Sequence, residues 1–321
     1  MPIIETDGLT KRYRRVLAVD GVSLAVEPGQ VFGFLGPNGS GKTTTIGMLL
    51  GILTPTAGRF RLFGRDGHEE LHDTRRRIGA TLETPNFYPY LSGRDNLRIT
   101  ANVKGVDEAA IDRSLEIVGL VDRQKDQFRK YSLGMQQRLA LAATMLGDPE
   151  LVILDEPTNG LDPEGMREVR EVIRRFGELG KTVFLSSHLL FEVERVCTHV
   201  AIVKKGRIVA RGSVADILEQ QPVVELRGNG DAGRLHDIVA GYPGASAVRA
   251  DDGTVYATLA APDTAALNRY VAGQGIYLSH LALHTRSLEE AFLELTREEA
   301  PAPAPADAPA GSDRLAEGGA A

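Results

Sequence analysis

Gly36-Pro37-Asn38-Gly39-Ser40-Gly41-Lys42-Thr43 joins an apolar run, Val31-Phe32-Gly33-Phe34-Leu35, to a helical pattern that starts at its end. The spacing G-x-x-x-x-G-K-[ST] thus stands in the strand, loop, helix context of a phosphate cradle. Chemistry accounts for the residue types. Glycines let backbone N–H groups approach phosphate oxygens, and the following helix offers its positive end to an anion. The expected nucleotide contacts are Gly36, Pro37, Asn38, Gly39, Ser40, Gly41, Lys42, Thr43 and Thr44. Lys42 reaches the β- and γ-phosphates in this reading, and the Thr43 hydroxyl ligates Mg2+. Average residue frequencies yield the pattern by chance in about one chain per hundred of this length.

Further out, Leu151-Val152-Ile153-Leu154 is a second apolar run and ends in Asp155-Glu156-Pro157. Consecutive strand residues point to opposite sides, so the two carboxylates must do different jobs. Asp155 suits a water-mediated contact to Mg2+, and Glu156 suits orienting or deprotonating an attacking water. A third run, Thr182-Val183-Phe184-Leu185-Ser186, leads into Ser187-His188, which places an imidazole at the same carboxyl edge. Ligands bind at that edge in open α/β sheets. The other six histidines have no such setting and read as surface or packing residues. Apolar strands alternating with helical patterns predict a parallel sheet covered by helices, with a helical insertion over about 87–147.

With these parts in place, residues 3–220 resemble an ATP-binding cassette (ABC) ATPase. Tyr131-Ser132-Leu133-Gly134-Met135-Gln136-Gln137-Arg138 is similar to the signature segment of that family. The resemblance implies that Ser132 and Gly134 act on ATP held by a second subunit, that Asp162 in Gly160-Leu161-Asp162 belongs to the D-loop, and that His188 is the switch histidine. It also implies that Tyr13 stacks on adenine and that Glu83 stands where the family usually has the Q-loop glutamine. The signature departs from the usual Leu-Ser-Gly-Gly: Tyr131 replaces Leu and Leu133 replaces the first Gly. Together with Glu83, this form resembles the bacitracin and lantibiotic-resistance group within the cassettes of ABC-2-type exporters. The implied fold is a P-loop NTPase cassette of the α/β class with a helical insertion subdomain. Its implied cofactors are ATP and Mg2+. The implied partners are a second cassette, most simply a copy of this chain, and a separate integral membrane permease. The aromatic stretch Phe87-Tyr88-Pro89-Tyr90 in the insertion resembles the part that receives the coupling helix of that permease. A soluble cassette ATPase acting on ribosomes or DNA is the alternative, and a non-hydrolysing regulator is disfavoured by Glu156 and His188.

Outside the cassette, residues 222–299 alternate β-like runs (Val223–Leu226, Thr254–Leu259, Ile276–Leu278) with helix-like segments near 231–240 and 263–273. That order predicts a small α+β accessory domain of the βαββαβ kind, followed by an amphipathic helix over 288–295. Residues 300–321, mostly Ala, Pro, Gly and charge, have no apolar period and read as a disordered tail.

Of 321 residues, 37 are Lys or Arg and 43 Asp or Glu, a net charge of −6. This balance excludes a strongly basic nucleic-acid footprint, so no nucleic-acid partner is expected. Cys197 is the only cysteine, which excludes an intrachain disulfide framework and a thiolate metal cluster, and reads as a small packing residue in a reducing cytosol. No run approaches eighteen apolar residues, and Met1–Asp7 lacks the basic and apolar regions of a secretory signal. The expected location is cytoplasmic, peripheral on the inner face of the membrane through the permease.

Overall fold

The computed structural model describes residues 1–82, 86–218, 223–229, 231–260, 263–284 and 287–296. A hairpin of β1 (Ile4–Tyr13) and β2 (Val16–Val26) precedes the apolar strand β3 (Val31–Leu35). Helix α1 (Lys42–Leu49) follows the glycine loop, and β4 (Ala57–Leu62) and β5 (Arg65–Asp66) complete an antiparallel sheet ordered β2-β1-β4-β5. Sequence reading does not anticipate this sheet, because register shifts along β1 and β2 interrupt the alternation that would announce it. A short α2 (Leu71–Thr74) leads to β6 (Ile78–Thr81).

The helical insertion contains α3 (Gly93–Lys104), α4 (Glu108–Ile117) and α5 (Leu133–Met145). Each starts on a side-chain cap: Ser92, Asp107 and Ser132 accept from the backbone N–H of Asp95, Ala110 and Met135. The chain then returns to the sheet through β7 (Leu151–Leu154), α6 (Pro163–Glu178), β8 (Thr182–Ser187), α7 (Leu190–Glu194), β9 (His199–Lys204), β10 (Arg207–Ser213) and α8 (Val214–Leu218).

The resulting six-stranded sheet has the order β10-β9-β3-β8-β7-β6. Its strands are parallel except β10, which runs antiparallel to β9. Side chains alternate between two cores. Val152 and Leu154 enter the core built with the insertion and α6, whereas Leu151 and Ile153 enter the core built with α1 and the antiparallel sheet. Phe32, Phe34 and Phe184 stack on that second side. Both faces are covered, which is why these strands are apolar throughout.

A third, separate core lies under the sheet β12-β13-β11-β14, formed by β11 (Val223–Gly228), α9 (Ala232–Ala240), β12 (Ala245–Asp251), β13 (Thr254–Leu259), α10 (Thr264–Gly273) and β14 (Leu278–His284). Leu235 and Val239 of α9 and Leu267 and Val271 of α10 pack on Val224, Leu226, Val255 and Ala257. The order is βαββαβ. The last strand begins at Leu278 rather than Ile276, whose side chain is buried in the core ahead of it. The final helix, α11 (Leu288–Thr296), leaves this unit: Leu288 belongs to the cassette core, and the helix packs against α7, α8 and β10. Residues 300–321, read above as a tail, lie outside the described residues.

Candidate nucleotide-binding site

The loop between β3 and α1 needs its glycines for conformation and for space. Gly41 sits at φ +101°, a backbone state that only glycine adopts without strain, and a Cβ there would lie 2.3 Å from the carbonyl of Ala18. A Cβ on Gly36 would lie 2.2 Å from the carbonyl of Val203. Gly36 N–H donates to the Ser187 carbonyl (3.2 Å), tying the loop to the end of β8. Pro37, Asn38, Gly39 and Thr43 are exposed, Thr44 is half-buried and Ser40 is buried.

Lys42, only 5% exposed, is fully engaged. Its Nζ donates to the Gly36 carbonyl at 2.7 Å and the Pro37 carbonyl at 3.3 Å, and lies 3.1 Å from Glu156 Oε1. The other carboxylate oxygen of Glu156 lies 2.8 Å from His188 Nδ1. Lys42, over a hundred positions upstream, thus joins Glu156 and His188, 32 positions apart, in one chain of contacts at the carboxyl edge of the sheet.

Alternation places Asp155 on the face of Leu151 and Ile153, the face that carries α1. Asp155 is 1% exposed; its Oδ1 accepts from the Ser186 hydroxyl, and its Oδ2 is buried without a protein partner. The same Ser186 oxygen accepts from Glu156 N–H at 2.9 Å. Glu156 itself sits at φ +48°, so the backbone turns sharply and the second carboxylate swings towards Lys42. Ser186 therefore ties the Asp155 carboxylate to the Glu156 backbone, a role that sequence reading does not assign. The available signal is a pair of serines, Ser186 and Ser187, closing the apolar run Val183-Phe184-Leu185, and both are wholly buried.

The remaining expected residues lie elsewhere. Tyr13 ends β1 and is 42% exposed; Lys11 Nζ lies 5.2 Å from its ring centroid. Ser132 caps α5 and Asp162 caps α6, accepting from Gly165 N–H at 3.0 Å. Gly134 is at the crossing of those helices, where a Cβ would lie 3.3 Å from Gly165 Cα. Among the described residues no hydrogen bond or ion pair joins Ser132 or Gly134 to the loop at 36–44. Glu83 lies outside the described residues. Tyr131, in place of the usual Leu, is buried, and its hydroxyl donates to the Arg123 carbonyl at 2.8 Å. Cys197 packs against Gly33, and burial pushes its thiol well above the usual range. Phe87 stacks edge-on against Phe128 with centroids 5.3 Å apart, whereas Tyr88 and Tyr90 are exposed.

An ammonium, a positive helix end and the buried, unpartnered Ser40 Oγ belong to one loop, and a second buried oxygen without a protein partner, Asp155 Oδ2, follows β7 at the same carboxyl edge of the sheet. This donor set fits a polyphosphate and a hard cation. Fold and site together define a P-loop nucleotide triphosphatase.

The family profile described as ABC transporter matches residues 19–159. The bacitracin transport ATP-binding protein BcrA of Enterococcus faecalis is 35% identical over 295 residues, covering 91% of this chain and 96% of that protein. The BcrA of Bacillus licheniformis is 47% identical over 209 residues, 64% of this chain and 68% of its own. Among solved structures, cbiO1 from Clostridium perfringens, described as part of the ABC transporter complex cbiONQ, superposes with a TM-score of 0.62 at 27% identity, over 67% of this chain and 90% of that one. The chain belongs to the ATP-binding subunits of ABC transporters, and it is an ATPase of that family.

Proposed function

We propose that this chain is the motor of a two-component exporter of the antibiotic-resistance kind, with the cassette in residues 1–220 and an accessory unit that starts at 222 and ends before α11. The kinship to two BcrA proteins, named for bacitracin transport, supports the cargo class. No helix among the described residues is long and apolar enough to cross a membrane; in this reading the path belongs to a separate permease at whose inner face the chain sits. Two cassettes close on two ATP molecules. Exposed Ser132 and its neighbour Gly134 from one copy, with Asp162 nearby, face ATP held by residues 36–44 of the other, and Tyr13 stacks on the adenine. Glu83 is assigned to the Q-loop.

Thr43 and Asp155 would hold Mg2+, which when bound neutralises charge on the transferring phosphate. The chain's own groups do the rest. Lys42 exchanges Glu156 for a phosphate oxygen. That exchange frees Glu156 Oε1 to take the proton of the attacking water, while His188 keeps the carboxylate oriented through Oε2. The observation that carries this reading is the Lys42, Glu156, His188 chain of contacts. Glu156→Gln should bind ATP yet lose about 10²- to 10⁴-fold in turnover, the usual contribution of a general base. Wild-type turnover in that variant would overturn the assignment.

A further inference from the structure

Helix α7, the single turn immediately after the His188 segment, is too short to hold itself in place: five residues form barely one hydrogen-bonded turn. Its position is imposed from two sides. On the α6 side, half-buried Arg170 pairs with buried Glu192, and Arg174 donates to the Arg195 carbonyl at 3.2 Å. On the other side stands α11, contributed from beyond the accessory unit. Leu288 and Ala291 of α11 are wholly buried, and Leu288 shares the core of Val193.

The join is specific. Glu194 Oε2, at the last position of α7, accepts from the Leu288 backbone N–H at 3.1 Å, one of the donors that a helix start leaves without an intrahelical partner. A capping box completes the start of α11, with Ser287 Oγ accepting from Glu290 N–H at 3.2 Å and Glu290 Oε2 accepting from Ser287 N–H at 3.3 Å. Only residues 285–287 separate α11 from β14 of the accessory sheet.

We propose that α11 is a strap that sets the catalytic geometry, and that Glu194 is a positioning residue acting through His188. The strap fixes α7, α7 fixes the Ser187-His188-Leu189 turn that feeds it, and the turn holds His188 Nδ1 against Glu156. Displacement of the accessory sheet, by a partner or by the permease, pulls on the same helix and so adjusts hydrolysis. The accessory unit is a regulator of turnover rather than of nucleotide binding, because among the described residues no hydrogen bond or ion pair joins α11 to residues 36–44. This rests on the hydrolytic reading of Glu156 and His188.

The test uses the full chain with Glu194→Ala, Glu194→Gln, His188→Ala and the Glu194→Ala/His188→Ala double variant. Steady-state and single-turnover ATP hydrolysis are measured together with the affinity for a fluorescent ATP analogue. Glu194→Ala should lower kcat about tenfold, the size of a lost cap, with KM and nucleotide affinity within about twofold. Glu194→Gln, which keeps an acceptor oxygen, should restore kcat to within about twofold. In the His188→Ala background the Glu194 substitution should have no further effect, since the residue through which it acts is gone. Full kcat in Glu194→Ala, or a tenfold loss that persists without His188, overturns the strap. Wild-type turnover in His188→Ala would instead overturn the reading of His188, and the strap with it.

Discussion

In the proposed mechanism Lys42 is contested between Glu156 and any phosphate that enters the loop, and the contest has a measurable size. Two unit charges 3.1 Å apart attract by about 5 kcal/mol at an effective dielectric near 20. Most of that is offset by desolvation, since both side chains are largely enclosed, 5% and 17% exposed. Glu156→Gln keeps the shape but removes the carboxylate charge, so the part of this ion pair that survives desolvation, on the order of 1–2 kcal/mol, no longer holds Lys42. ATP then has a weaker incumbent to displace. Its binding should tighten by about 1.4 kcal/mol, tenfold in Kd.

The assay is titration of a fluorescent ATP analogue in Mg2+-free buffer, at protein concentrations low enough to keep the chain monomeric. Those conditions isolate loop occupancy from closure of two cassettes and from hydrolysis. Equal or weaker binding in Glu156→Gln would refute the reasoning: either the pair does not persist in solution or the Gly36 and Pro37 carbonyls alone hold Lys42.

Two further outcomes follow from the geometry. Arg170→Ala leaves Glu192, 4% exposed, as an uncompensated buried carboxylate, and the denaturation midpoint should fall by the equivalent of about 3–5 kcal/mol with unchanged m-value. Tyr88→Ala with Tyr90→Ala, both exposed, should reduce recovery of an integral membrane protein by affinity capture from detergent-solubilised membranes without altering thermal stability; Phe87→Ala, by breaking the stack on Phe128, should lower stability first, and unchanged capture in the double Tyr variant would remove this surface from the interface.

What the sequence makes legible is what short-range chemistry determines. The strands at 31–35, 151–154 and 182–187 are buried on both faces and so read as apolar runs, and the loop at 36–43 declares itself because Gly36 and Gly41 have no steric alternative. The antiparallel sheet escapes because its strands are half exposed and shifted in register, and β12 escapes because almost all of its side chains are exposed at an edge. Glu194 looks like any acidic residue on a surface turn. Its partner is a backbone N–H 94 positions away, which no local pattern encodes.

Ser132, Gly134 and Asp162 show a subtler limit. Each matches a motif read as acting on nucleotide, yet each also has a complete reason within one chain: two helix caps and one helix crossing. The two readings are compatible because the caps make the site. Ser132 starts α5 and Asp162 starts α6, the two starts are locked at Gly134 and Gly165, and Arg138 of α5 reaches Glu168 of α6 at 3.3 Å. The corner is one packed unit, since a Cβ at Gly134 would already crowd Gly165 Cα. In the proposed two-cassette assembly, a phosphate pressing on Ser132 from a facing subunit would press on the Asp162 turn as well. Through Arg170 of the same α6, that push would reach Glu192 and the helix that follows His188.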